Sequence, residues 1–336
     1  MNMKLSENEQ IRQIIYEVEK AVTGKRECIM KVFASILAGG HILLEDVPGV
    51  GKTTLAVAFS KALSLSTRRV QFTPDVLPSD ILGFSMYDKK SDEFVYRPGS
   101  IMCNLFLADE INRTSPKTQS ALLEVMEEGM VTVDGYSYKV PEPFIVIATQ
   151  NPKGSAGTQL LPESQLDRFM ICMSLGYPDE ESELMILKNK AADISAESVK
   201  PVISAGQLME MINGVSEIYI HDQVYSYMVR LMKATRENEY IELGVSPRGT
   251  IAMSRIVRAW AFLQGREYVI PGDVSDLFMD IAKHRIVLST RARATRVTEE
   301  DVLSDILKTV NTPSVSGGKR EENRRSRVKL TERIKY

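Results

Sequence analysis

A short turn rich in small residues carries the clearest chemical signal in this sequence of 336 residues. It follows an apolar stretch, ends in Gly51-Lys52-Thr53 and leads into a helical pattern. Small residues let backbone N–H groups surround a phosphate, and the positive end of the following helix attracts the same anion. Lys52 would reach the β- and γ-phosphates of a nucleotide, and the Thr53 hydroxyl would lie on Mg²⁺. The turn therefore predicts a phosphate-binding loop; a helix-capping loop that happens to contain these residues is the alternative.

The residues predicted to bind the nucleotide extend over the whole turn. The usual phosphate-loop pattern begins with a glycine five positions before Gly51, whereas Asp46 occupies that place here. Pro48 and Gly49 can still make the turn. The predicted nucleotide-contacting set is Asp46, Val47, Pro48, Gly49, Val50, Gly51, Lys52, Thr53, Thr54 and, from a later strand, Asp109.

Two carboxylates, Asp109 and Glu110, follow directly after an apolar run. A buried parallel strand ends at the edge where an open α/β sheet binds its ligands. Asp109 would hold Mg²⁺ through water, and Glu110 would orient and deprotonate an attacking water. Thr53 and Asp109 are therefore the predicted Mg²⁺ residues. A surface pair that closes a strand is the alternative.

Three more polar residues complete the predicted site. Asn151 follows another apolar run and could reach the γ-phosphate, although an asparagine before Pro152 could also simply form a turn. Arg168 precedes the fifth predicted strand, close to the active edge or to a subunit boundary. Arg248 opposes the dipole of the helix that it begins, so an anion should recruit it; surface salt bridges are the alternative for both arginines. The predicted catalytic residues are Glu110, Asn151, Arg168 and Arg248.

Five short apolar or β-branched runs, separated by helical patterns, must position these residues. They cover residues 41–46, 69–72, 105–109, 144–149 and 170–174. Near-continuous apolar runs are typical of a parallel sheet that is covered on both faces. The fold class predicted is therefore α/β, with a parallel five-stranded sheet followed by a small all-α lid. The predicted division is residues 1–195, 200–310 and a basic, flexible tail at 311–336, with hairpins inserted at 83–98 and 129–143.

Composition narrows the classes of function. The net charge of −2 gives no general electrostatic attraction to nucleic acid, so a nucleic-acid partner is not expected. No apolar run reaches the length of a membrane span, so membrane insertion is not expected. The three cysteines are far apart and lie in apolar surroundings, which favours free thiols in a cytoplasmic protein over a disulfide or a metal site.

The order of these motifs resembles the MoxR-type AAA+ ATPases, in the clade with a helix-2 insert that also contains magnesium-chelatase ATPase subunits. The resemblance extends over about residues 5–310, and Asp46 at the start of the loop is also typical of this family. The residues that carry it are 45–53, 108–113, 148–152, 161–169 and 246–248.

This resemblance implies roles that spacing alone does not fix. Lys52 and Thr53 look like the Walker A pair, and Asp109 and Glu110 like the Walker B pair. Asn151 would be sensor 1, Arg168 the arginine finger offered to a neighbouring subunit, and Arg248 sensor 2, acting in cis or in trans. Arg113 is a second candidate for a contact between subunits.

The resemblance also implies ATP and Mg²⁺ as cofactors and a homo-oligomeric ring, by analogy a hexamer, that works as a chaperone-like remodeller. The expected partner carries a von Willebrand factor A (VWA) domain or is a related DUF58-type protein. A nucleic-acid-dependent, helicase-like motor is the alternative, and the basic stretch near the end of the chain is its only support.

Overall fold

The computed structural model of the chain describes residues 7–47, 49–151, 161–191 and 195–313, and its first part is an α/β body. Its helices are α1 Glu7–Ala21, α2 Arg26–Leu37, α3 Lys52–Ala62, α4 Pro78–Leu82, α5 Pro116–Glu128, α6 Glu163–Leu166 and α7 Glu180–Ala191. Its strands are β1 Ile42–Glu45, β2 Thr67–Gln71, β3 Gly83–Asp88, β4 Glu93–Pro98, β5 Leu105–Asp109, β6 Met130–Val133, β7 Tyr136–Lys139, β8 Ile145–Gln150 and β9 Ile171–Met173.

Five of these strands form one parallel sheet in the order β2-β5-β8-β1-β9. The predicted α/β fold with a parallel five-stranded sheet is therefore confirmed, with strand ends that differ by one or two residues. Strands β5 and β8 lie inside the sheet and are almost wholly buried, whereas β2 lies at an edge and exposes Arg68 and Arg69. The other edge strand, β9, is buried, so β2 is the edge strand whose side chains remain open to solvent, and its run is accordingly the least apolar.

The two faces of the sheet contribute to two cores, because successive side chains of a strand point in opposite directions. Leu105 and Leu107 belong to the larger core, which includes residues of α1 to α3 and continues into the lid. Phe106 and Ala108 belong to the smaller core, which includes residues of α5. The alternation fixes the register, so the polar residues that follow β5 and β8 emerge together at one edge of the sheet.

Both predicted hairpins are present. Strands β3 and β4 pair antiparallel, as do β6 and β7, which join through Asp134 and Gly135 at φ 51° and 82°. Positive φ at both central residues is the geometry that an Asp-Gly hairpin turn favours. The rings of Tyr96 on β4 and Tyr138 on β7 stack with centroids 4.0 Å apart, so the two hairpins contact each other.

The lid follows as a set of helices, as predicted. Its helices are α8 Ala205–Ser216, α9 Asp222–Glu237, α10 Pro247–Leu263, α11 Pro271–Ala282, α12 Thr290–Thr295 and α13 Glu299–Thr309. A short antiparallel ribbon of β10 Ile241–Leu243 and β11 Val287–Leu288 joins them. Neither this ribbon nor α12 is predicted from the sequence, because elements this short show no periodicity.

Several predictions concern residues outside the described ranges. They are Pro48 in the phosphate loop, Pro152 after Asn151, and the tail beyond residue 313. Among the helices that are described, none is both long and apolar enough to cross a membrane.

Candidate functional site

The predicted phosphate loop connects β1 to α3. Gly49 and Gly51 have φ of 90° and 97°, a region that strongly favours glycine, and Gly51 caps α3. The Lys52 ammonium donates hydrogen bonds to the backbone oxygens of Asp46 at 2.5 Å and Val47 at 3.3 Å. Burial lowers the pKa of Lys52, and the nearby carboxylates oppose that shift. The lysine therefore lies across its own loop, where it could meet a phosphate.

In this structure the Asp46 carboxylate accepts hydrogen bonds from the protein itself. Its Oδ2 accepts hydrogen bonds from the Ser174 hydroxyl at 2.9 Å and from the Gly176 N–H at 2.8 Å, and its Oδ1 accepts one from the Val47 N–H. The side chain thus ties the start of the loop to the chain that follows β9. Val50 and Thr54 are half-buried at the end of the loop and in the first turn of α3.

Asp109, at the end of β5, has a buried carboxylate that forms hydrogen bonds with three side chains. The Thr53 hydroxyl lies 3.4 Å from its Oδ2, and the Thr149 hydroxyl lies 3.3 Å from its Oδ1. The Arg69 guanidinium donates from Nε to Oδ2 at 2.6 Å. The two predicted Mg²⁺ residues, Thr53 and Asp109, are therefore brought together, with an arginine on the same carboxylate oxygen.

Glu110 is the next residue and adopts a left-handed backbone conformation, with φ 55° and ψ 48°. That conformation costs a non-glycine residue about 1–3 kcal/mol and is common at functional sites. Its N–H donates to the Thr149 hydroxyl at 2.9 Å. Its carboxylate accepts hydrogen bonds from Arg113 at 2.8 Å and from the Asn151 amide at 3.4 Å. The hydrogen bond from Arg113 is the main cause that lowers the pKa of Glu110, and burial opposes it.

Asn151 lies one residue after β8, beside β5. Besides its contact with Glu110, its backbone oxygen accepts a hydrogen bond from the Asn112 amide at 3.3 Å. The Asn112 side-chain oxygen is buried and has no hydrogen-bond partner among the described residues. Lys52, Thr53, Asp109, Glu110 and Asn151 thus converge at one edge of the sheet.

Arg168 and Arg248 share one acidic partner, which lies outside this cluster. Both form ion pairs with Glu127 on α5, at 3.2 Å for Arg168 and as a close contact for Arg248. Within the described residues, no hydrogen bond or ion pair joins either arginine to the phosphate loop or to Glu110. Because one carboxylate is shared by two guanidiniums, this group of three residues carries a net positive charge.

Four residues at these two places were not predicted from the sequence: Arg69, Thr149, Asn112 and Glu127. Thr149 and Asn112 lie inside two of the segments that carry the family resemblance, so their position near a strand end is a signal that could have found them. Arg69 and Glu127 are charged residues in ordinary strand and helix patterns, and only long-range contacts distinguish them.

The residues present fit a nucleotide with Mg²⁺. The loop presents its lysine and the first turn of α3, which attract a phosphate. Thr53 and Asp109 offer a hydroxyl and a carboxylate within 3.4 Å of each other, and oxygen atoms are the ligands that Mg²⁺ prefers.

Comparisons with known proteins agree with this geometry. Residues 41–171 match the ATPase family associated with various cellular activities (AAA), and residues 233–306 match an AAA lid domain. The uncharacterized protein YeaC of Bacillus subtilis is 44% identical over 299 residues, which cover 89% of this chain and 93% of YeaC. The chaperone MoxR1 of Mycobacterium tuberculosis is 36% identical over 315 residues, which cover 91% of this chain and 83% of MoxR1.

A solved structure extends the likeness to three dimensions. The crystal structure of a candidate ATPase from Cytophaga hutchinsonii superposes with a TM-score of 0.84 at 37% sequence identity, covering 91% of this chain and 96% of the other. Together with the relatives above, it confirms the resemblance that the motif order predicts. The chain belongs to the MoxR family of AAA ATPases.

Proposed function

We propose that this chain hydrolyses ATP, with Mg²⁺, at the edge of the sheet where β1, β5 and β8 end. The observation that carries the proposal is the hydrogen-bonded cluster in which Asp109 meets Thr53, and Glu110 meets Asn151. Each of these residues has the chemistry that phosphoryl transfer to water needs. The proposed domains are residues 1–195 for nucleotide binding and 200–310 for the lid, with 311–336 as a tail.

The loop binds and orients the phosphates. Lys52 exchanges its bonds to the backbone oxygens of Asp46 and Val47 for the β- and γ-phosphates, and the N–H groups of the loop and of the first turn of α3 add to the attraction. Thr53 and Asp109 are the residues that would hold Mg²⁺. Mg²⁺, when bound, neutralises charge that develops on the phosphates.

Glu110 is the proposed general base. Because the Arg113 hydrogen bond lowers the pKa of Glu110, its carboxylate is ionised at neutral pH and can accept a proton from water. The amide of Asn151 holds one carboxylate oxygen and is close enough to orient the same water. The left-handed backbone at Glu110, fixed by the Thr149 hydroxyl, sets the direction of the side chain.

Arg168 is proposed to act on the nucleotide of a neighbouring protomer. Its ion pair with Glu127, away from the loop of its own chain, and the excess positive charge shared with Arg248 support this assignment. A guanidinium supplied in trans is worth about 10³–10⁵ in rate. Hydrolysis would then require a ring, for which we propose a hexamer, and Arg248 would act as sensor 2 from the lid.

The proposed biological activity is chaperone-like remodelling of a partner protein. The relative from Mycobacterium tuberculosis is named a chaperone. The hairpin of β3 and β4 exposes three aromatic side chains, Phe84, Tyr87 and Phe94, which could contact an apolar segment of a client. We further propose a cytoplasmic location and a VWA-domain or DUF58-type partner, both on the basis of the family.

The test is an ATPase assay on the assembled protein with Glu110→Gln. The variant keeps the size of the side chain and removes the base, so nucleotide affinity should stay within a factor of about two while turnover falls by about 10²–10⁴. Glu217→Gln, at an exposed glutamate of the lid, is the matched control and should keep full activity. Hydrolysis undiminished in Glu110→Gln would refute the assignment. Turnover stimulated strongly by single-stranded DNA would favour the nucleic-acid motor instead.

A further inference from the structure

Asp167, the residue before Arg168, is held from both sides by the lid. The Ser246 hydroxyl donates to its Oδ2 at 2.8 Å, and the Arg285 guanidinium donates from Nε to its Oδ1 at 2.7 Å. Ser246 occupies the N-cap position of α10, yet its side chain makes no bond to the helix. Its hydroxyl bonds the α/β body instead, so the carboxylate joins two parts of the lid to the body.

Arg285 is buried, with only 5% of its surface exposed, and it forms hydrogen bonds with the backbone on both sides of Arg168. It donates to the backbone oxygens of Asp167 at 3.2 Å, Phe169 at 2.5 Å and Met170 at 3.2 Å. Burial lowers the pKa of Arg285, and Asp167 is the partner that opposes this shift. A buried guanidinium with this many partners holds one geometry, since any displacement leaves polar groups unsatisfied.

The fit around Arg285 leaves little room. A Cβ atom added at Gly249, in the first turn of α10, would lie 2.4 Å from Val245 Cγ1 and 2.9 Å from Arg285 Cδ. The start of α10, which carries Arg248, therefore lies directly against the residue that holds the Arg168 segment. The junction is therefore closely packed at this point.

The same two segments are joined a second time through Glu127. Arg168 and Arg248 both pair with that carboxylate. The Arg168 Nε is also buried and has no hydrogen-bond partner among the described residues, so packing and Glu127 orient its guanidinium. The segment around Arg168 and the start of α10 thus share two connections, one through Asp167 and one through Glu127.

We propose that Asp167 and Arg285 are positioning residues that fix Arg168 to the lid, so that the orientation of the lid and the reach of the Arg168 guanidinium toward the next protomer are set together. This inference rests on the proposed shared site. Among the described residues, neither side chain has a hydrogen bond or ion pair with the phosphate loop or with Glu110, so they act through Arg168. If the salt bridge between Asp167 and Arg285 only stabilised the junction, its loss would lower the stability of the fold. It would not produce a catalytic defect confined to the site of the neighbouring protomer.

Subunit mixing separates the two possibilities. Asp167→Asn removes the charge that pairs with Arg285. Ser246→Ala, which removes one hydroxyl and no charge from a half-buried residue, is the second variant in case the first does not fold. Each is compared with wild type for nucleotide affinity, for turnover and for thermal midpoint. Each is then mixed with Lys52→Ala protomers, which lack their own site but retain Arg168 and the lid contacts. Arg168→Ala mixed with Lys52→Ala is the reference.

The expected result is that Asp167→Asn binds ATP like wild type and loses about 10²-fold in turnover, as expected for a catalytic group displaced by about 1 Å. Ser246→Ala should lose less. Mixing with Lys52→Ala should raise turnover above the sum of the separate proteins, because roughly a quarter of the interfaces in a randomly mixed ring then combine an intact site with an intact Arg168 segment.

Two results would overturn the inference alone. The first is wild-type turnover in both folded Asp167→Asn and Ser246→Ala. The second is that Lys52→Ala protomers rescue Arg168→Ala but rescue neither Asp167→Asn nor Ser246→Ala. If Arg168→Ala itself shows no loss, or loses turnover and is not rescued, the shared site fails, and the positioning inference fails with it.

Discussion

Replacing Arg69 by glutamine is expected to tighten Mg²⁺-dependent nucleotide binding about fivefold. Arg69 donates to the Asp109 oxygen that also faces the Thr53 hydroxyl. A cation held at that oxygen must displace the guanidinium or bind beside its positive charge. Either way, the arginine opposes the metal, so its removal should favour binding.

The exposure of the pair sets the magnitude. The side chain of Asp109 is 6% exposed, but that of Arg69 is 54% exposed. Water screens a half-exposed guanidinium, so the pair is worth about 1 kcal/mol, at the upper end for surface ion pairs and far below a fully buried one. Since 1.4 kcal/mol is tenfold in an equilibrium constant, about 1 kcal/mol corresponds to about fivefold.

The assay is calorimetric titration of a non-hydrolysable ATP analogue into Arg69→Gln, repeated over a series of Mg²⁺ concentrations and in EDTA. The gain should appear with Mg²⁺ and be absent or much smaller without it. Arg68→Gln is the matched control, because Arg68 lies on the same edge strand and its side chain points to the opposite face. That variant should bind like wild type.

Weaker binding in Arg69→Gln would refute this reasoning, since it would mean that Arg69 contacts the phosphates. An equal gain in Arg68→Gln would also refute it, since the effect would then come from the general charge of the strand.

Two other predictions concern pH. Arg113→Ala removes the main group that lowers the pKa of Glu110, so the acid limb of the pH–rate profile should move to higher pH, with little change at pH 8; an unmoved limb would contradict the assignment of Glu110 as base. Burial lowers the pKa of His41 to about 4, below the value of the unfolded chain, and its neutral ring accepts the Val146 N–H and bonds the Met126 oxygen. The unfolded state therefore binds more protons below pH 6.5, and the free energy of unfolding should fall by about 2 kcal/mol from pH 7 to pH 5 on account of this group. Urea titrations of wild type and His41→Gln at both pH values check this, because the variant should lose that part of the pH dependence.

Much of the site was predictable because its motifs are local. The loop from Gly49 to Thr53 and the Asp109-Glu110 pair are each contiguous, and an apolar run before each one predicts that it follows a strand. Helix starts are equally local: Thr298 and Asp301, three residues apart, form a reciprocal cap at the start of α13. Ser246 is a partial exception, because it is the N-cap residue but its hydroxyl bonds Asp167 instead of the helix.

The sequence by itself determined the α/β fold, the helical lid and the residues that follow the strands, because these depend on periodicity and on short motifs. Only the tertiary structure decided which side chains meet. The contacts of Arg69 with Asp109, of Glu127 with two arginines and of Arg285 with Asp167 join residues that are 40 to 121 positions apart. A charged residue in a strand or helix has the same local pattern whether it faces water or a carboxylate, so its partner is set by the packing of the whole chain.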